Sequence, residues 1–111
     1  MIHATFFRKS GDLIGYEIKG HAEYAKEGQP DIVCSAVSAL AQTAVIGLTE
    51  VATIPAEWFI EESGKLYCRI SDDIDQQQAE RSALLMGTLK AGLVSIAEAY
   101  PRYLKISIKE V

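Results

Sequence analysis

Apolar and polar residues alternate with a period of two in five stretches of this chain and with a period of 3.6 in two longer ones, predicting five strands and two helices. Residues 2 to 8 and 13 to 19 alternate around Lys9-Ser10-Gly11-Asp12, whose Gly and Asp suit a hairpin turn. In the second run Ile14, Tyr16 and Ile18 share one face and Glu17 and Lys19 the other, as in a sheet covered on one side. From Ile32 to about Val51, Val33, Val37, Leu40, Ala41, Ala44 and Leu48 recur at helical spacing. That helix is rich in Ala, Ser and Thr, which predicts close packing and burial of most of its surface.

Pro55 precedes a second hairpin pattern, Glu57 to Glu61 and Lys65 to Ser71 around Glu62-Ser63-Gly64. Asp72-Asp73-Ile74-Asp75 then places negative charge at the positive end of a helix that runs to Tyr100, with Leu85, Leu89, Leu93, Ile96 and Tyr100 as its apolar stripe. Pro101 ends it, and 103 to 109 alternate as a last strand. The order β-β-α-β-β-α-β predicts an α+β fold, a mainly antiparallel sheet with both helices packed on one face. The 111 residues, 1-111, fit one domain.

Composition narrows the function. Apolar residues at 49% and charged residues at 23% are the proportions of a soluble globular domain. The N-terminus lacks the basic and apolar regions of a signal peptide, and no uninterrupted apolar run approaches a membrane span, so the expected place is the cytoplasm. The net charge of -4, with its 11 Lys and Arg scattered, argues against direct nucleic-acid binding and suits a basic partner. There is no zinc spacing, no phosphate-binding glycine loop and no aromatic-basic stripe, so neither metal nor cofactor is expected.

The candidate chemistry lies where a loop becomes a helix, in Gly28-Gln29-Pro30-Asp31-Ile32-Val33-Cys34-Ser35, with His21 upstream in Gly20-His21-Ala22. Asp31 is a strong N-cap residue, which puts Cys34 in the first helical turn, where unpaired amides stabilise a thiolate. The amides of Val33, Cys34 and Ser35 are candidate oxyanion donors, and His21 is a candidate general base. Each has a plainer reading. A cysteine is more often inert core filler, as Cys68 between Leu66 and Ile70 is expected to be. His21 also fits a solvated loop histidine, Asp31 a cap alone or a cap that orients His21, and Ser38 either helix packing or a wall of the site. Gly20 and Gly28 are candidate loop hinges.

At these residues the chain resembles the ribosomal-processing cysteine protease family known as Prp, through Gly20-His21-Ala22, Gly28, Asp31-Ile32-Val33-Cys34 and the small-residue run that follows. The resemblance extends over essentially the whole chain. It implies a cytoplasmic endopeptidase, often a homodimer, that removes the N-terminal extension of bacterial large-subunit ribosomal protein L twenty-seven. It places the catalytic cysteine on Cys34, the catalytic histidine on His21, and site-associated positions on Asp31 and Ser38. Gln29-Pro30 makes the His21 to Cys34 loop longer than the family's usual form. The alternative from another class is a ribosome-associated protein that grips a peptide without cutting it.

Overall fold

In the computed structural model, which describes residues 1–26 and 31–111, five strands form one sheet. Strands β1 (Ile2–Lys9) and β2 (Asp12–Lys19) are the first hairpin. Helix α1 (Ile32–Ile46) runs on through a π-helical turn over Gly47–Val51. Strands β3 (Ala56–Ile60) and β4 (Leu66–Ile70), helix α2 (Gln76–Ala99) and strand β5 (Leu104–Glu110) follow. The sheet order is β3-β4-β2-β1-β5, antiparallel except for β1 beside β5. The α+β class and the element order are those the alternation predicts.

The first turn closes more tightly than the sequence implies. Lys9 pairs with Asp12, leaving Ser10 and Gly11 as a two-residue loop with φ of 52° and 86°. That geometry matches the right-handed twist of the flanking strands.

One face of the sheet is dry. Ile2, Ala4 and Phe6 of β1, Tyr16 and Ile18 of β2, and Leu66, Cys68 and Ile70 of β4 are buried against Val33, Val37, Ala41, Val45 and Leu48 of α1 and Met86, Leu89 and Leu93 of α2. Tyr16 ties the layers together, its hydroxyl donating to the Ala41 carbonyl at 2.7 Å. Burial of that phenol raises its pKa far above the ordinary range.

One helix expectation needs correction and the other an addition. Helix α1 buries only one face, and Ile32, Ser35, Leu40 and Ile46 lie exposed on it, because one layer of two helices on one sheet leaves their outer sides uncovered. The buried line of α2 is Ser82, Met86, Leu89 and Leu93, while Leu85, Ile96 and Tyr100 are half-buried. Leu85 is turned toward α1, its methyls lying near Gly47. Both helices are long and apolar enough by composition to cross a membrane, but each lays its buried face on the sheet. Asp75 caps α2 reciprocally with Gln78.

Candidate active site

Gly20 ends β2 with φ of 90°, and a Cβ there would lie 2.5 Å from the Met1 carbonyl oxygen. Only glycine fits both demands, so the chain leaves the sheet here along one path. His21 follows, exposed, its Cε1 beside Gly64 in the β3–β4 turn. Ala22 then dives into the core at 2% exposure. Glu23 turns the chain with φ of 59°, a left-handed conformation that costs a residue with a Cβ about 1–2 kcal/mol. Strain of this kind persists where neighbouring contacts hold it.

Those contacts are two backbone donors on either side of Glu23. The N–H of Ala22 donates to Cys34 Sγ at 3.2 Å. The N–H of Tyr24 donates to Asp31 Oδ2 at 3.0 Å, with Ala25 N–H 3.5 Å from the same oxygen. The ring of Tyr24 adds a third anchor. It meets Tyr100 and Tyr103 edge-to-face, with centroids 5.4 Å and 5.1 Å away.

Asp31 is the hub of this arrangement. Its Oδ1 accepts from Val33 N and Cys34 N, both at 3.0 Å, so it caps α1 while Oδ2 holds the loop. These amide bonds, that from Cys34 foremost, hold its carboxyl below the usual carboxylate range. Of the alternatives for Asp31, the geometry gives cap and loop anchor. No oxygen of Asp31 meets His21 among the described hydrogen bonds.

The backbone next to His21 therefore reaches Cys34, while the imidazole Cε1 lies beside Gly64. Cys34 is half-buried, a free thiol in the first turn of α1. No hydrogen bond joins the imidazole to the sulfur among the described residues; the residue next to His21 makes that contact instead. The expected oxyanion donors are occupied. Val33 and Cys34 amides are engaged by Asp31 Oδ1, and Ser35 N donates to the Asp31 carbonyl at 3.0 Å. Ser38 is exposed one turn further along α1. Gly28 lies outside the described residues.

Cys68 supplies the contrast. It is fully buried beside Tyr16 in the sheet register, a free thiol whose pKa burial pushes up to about 11. It is core, as its place between Leu66 and Ile70 predicts. No group of His, Cys, Asp and Glu among the described residues is arranged to hold a metal. What the sequence missed is Tyr24 with Tyr100 and Tyr103, three rings from distant parts of the chain that no local spacing links.

Comparison with known proteins gives a consistent result. The family model described as cysteine protease Prp matches residues 1–105. The ribosomal processing cysteine protease Prp of Bacillus subtilis (strain 168) is 30% identical over 110 residues, covering 96% of each chain. Among solved structures, SMU.848 from Streptococcus mutans superposes with a TM-score of 0.82 at 31% identity, over 100% of this chain and 96% of that one. The essential ribosomal processing protease Prp from S. aureus, in complex with a covalently linked product peptide, gives a TM-score of 0.85 at 22% identity. It covers 98% of this chain and all of that one, and at that identity attests the fold.

Proposed function

The chain belongs to the cysteine protease Prp family, and from that premise we propose that it is the cytoplasmic endopeptidase that removes the N-terminal extension of large-subunit ribosomal protein L twenty-seven, with His21 and Cys34 as its dyad. The observation that carries this reading is the 3.2 Å bond from Ala22 N to Cys34 Sγ. It holds the residue following His21 against the one half-buried thiol at a helix start, which supports His21 as the partner of that thiol. The Prp relative from B. subtilis is a ribosomal processing protease, and the acidic balance of this chain suits a basic ribosomal substrate.

In this mechanism Cys34 attacks the scissile carbonyl, His21 takes the thiol proton and returns it to the leaving amine, and water then resolves the acyl-enzyme. The Val33 and Cys34 amides serve the oxyanion once substrate displaces the Asp31 carboxylate from them. The reading includes a homodimer, as the family resemblance implies; Ile46 of α1 and Trp58 and Ile60 of β3, exposed beside a groove of about 200 Å³, are an apolar surface open to it.

Cleavage of the extended ribosomal protein, mapped by mass spectrometry of the released peptide, tests the reading. Cys34→Ala and Cys34→Ser are expected to abolish cleavage, and His21→Gln to reduce it by about 10²-fold or more. Full cleavage by Cys34→Ala would refute it. Binding of the extension without cleavage by the unmodified protein would assign the chain to peptide capture instead.

A further inference from the structure

The face of the sheet turned away from the helices is uncovered, and its chemistry differs from the rest of the molecule. Register places Phe59, Tyr67, Glu17, Thr5 and Ser107 in one row across the strands, and Glu57, Arg69, Gly15, Phe7 and Lys109 in the next. Lys19, His3 and Lys105 form a third. Gly15 has no side chain to separate its neighbours, so the rings of Phe7 and Tyr67 meet across it with centroids 5.9 Å apart. Phe59 stacks on Tyr67 at 5.1 Å and 16°. Three rings from three strands thus make a continuous aromatic strip, half-buried at its centre and 38% exposed at Phe59.

Cations surround the strip. Lys19, Lys65, Arg69, Lys105 and Lys109 outnumber Glu17, Glu57 and Glu61 on a chain whose net charge is negative. Glu17 is shared by Lys19 and Lys65 at 3.8 Å and 3.7 Å, while no carboxylate engages Lys105 or Lys109 among the described residues. The acidic excess lies elsewhere, in Asp72, Asp73, Asp75, Glu80 and Glu98 of the linker before α2 and of α2 itself.

We propose that this open sheet face is a docking platform for single-stranded RNA, with bases stacking on the Phe59–Tyr67–Phe7 strip and phosphates on the flanking lysines. Phe59 and Tyr67 each give one ring face to their mutual stack, and the ring surface left open, greatest at Phe59, fits the flat face of an unpaired base, with flanking ammonium groups beside the phosphates. A basic peptide is a poor occupant, since it meets the same lysines. The cations are dispersed in sequence, over β2, β4, β5 and the β3–β4 turn, and only the strand register gathers them.

The experiment is fluorescence anisotropy with a labelled oligouridine of roughly 12 nucleotides, a length that spans one such surface. Binding with a Kd at or below about 100 μM in low salt is expected, weakening as salt rises. The pair Lys105→Glu and Lys109→Glu is expected to weaken it more than tenfold. Phe59→Leu and Tyr67→Leu, which keep the charge, are each expected to cost roughly tenfold, with peptide cleavage unchanged because the face lies opposite helix α1, which carries Cys34. Phe59 sits on an exposed edge, so its variant stays informative if Tyr67→Leu unfolds. No binding at low salt, indifference to both kinds of variant, or equal competition by a polyglutamate peptide of matched length would each overturn the proposal.

Discussion

Ala22 is buried in the core and donates its N–H to Cys34 Sγ, so the residue that follows the histidine is fixed by packing and by the thiol together. The position of His21 is thus set one residue away from it. Ala22→Leu is expected to overpack this pocket, shift the loop and lower kcat/KM by about 10²-fold, since displacements near 1 Å are enough for that. Ala22→Gly keeps the donor and is expected to lose far less. Steady-state cleavage by the two variants, each checked for an intact fold by circular dichroism, makes the comparison.

Asp31 makes stability depend on pH with a defined sign. Four backbone amides face its carboxylate, and its pKa in the folded chain is lowered. A depressed carboxyl contributes stability above its unfolded value of about 3.9, and that contribution is lost as pH falls through the folded pKa. Asp31→Asn is therefore expected to lower Tm at pH 7, with the gap to the unmodified protein closing as pH falls below about 4. Thermal melts across that range measure it. A gap constant with pH would remove the carboxylate from the cap.

Tyr24 holds the loop from its other end. Edge-to-face pairs contribute roughly 0.5–1.5 kcal/mol each beyond the area they bury. Tyr24 makes two, with Tyr100 and Tyr103. Tyr24→Ala is expected to speed amide exchange at Ala22 and Ala25 by about tenfold while leaving the amides of β1 and β2 unchanged. Exchange followed by mass spectrometry on short peptides resolves the two regions.

These three anchors show where sequence is informative and where it stops. The period of two in β1, β2 and β4, the Asp31 cap and the core position of Cys68 are local properties, and each is legible from neighbours a few residues apart. The family resemblance on Gly20-His21-Ala22 and Asp31-Ile32-Val33-Cys34 is legible for the same reason. The Ala22–Cys34 bond, the Tyr24 cluster and the aromatic strip on the outer sheet face join residues from separate elements, so no window of sequence contains them. The expected α2 stripe does face the core, with Leu89 and Leu93 buried and Leu85, Ile96 and Tyr100 packed half-buried against it; what it leaves out is Met86, because equal apolarity at Leu85 and Met86 does not rank the two. Ser82 could not be read as core at all, being a hydroxyl that burial penalises.

Glycine at 15 is required by the backbone across the sheet. A Cβ there would come 2.5 Å from the Cys68 carbonyl oxygen, closer than contact allows, and main chain cannot yield as a side chain does. Gly15→Ala is expected to push β2 from β4 at a cost of about 1–3 kcal/mol or more, lowering Tm by roughly 10 °C. Gly87→Ala is its control, since a Cβ at Gly87 meets nothing within 4 Å and improves helix propensity by about 0.8–1.0 kcal/mol. Opposite shifts in Tm are expected from the two substitutions.

Ser82 points the other way from most core positions. It is 1% exposed on the buried line of α2, and its hydroxyl has no hydrogen-bond partner among the described residues. Leaving a polar group unpaired in the core costs about 1–3 kcal/mol, whereas removing the hydroxyl deletes one oxygen from the packing. Ser82→Ala is therefore expected to raise stability by about 0.5–1 kcal/mol, helped by the better helix propensity of alanine. Met86→Ala, one turn along the same buried line, is expected to cost about 2–5 kcal/mol because it leaves a cavity. Urea denaturation of the two variants distinguishes them. A loss of stability in Ser82→Ala would mean that the hydroxyl is satisfied in solution, and the buried face of α2 would then hold a polar contact.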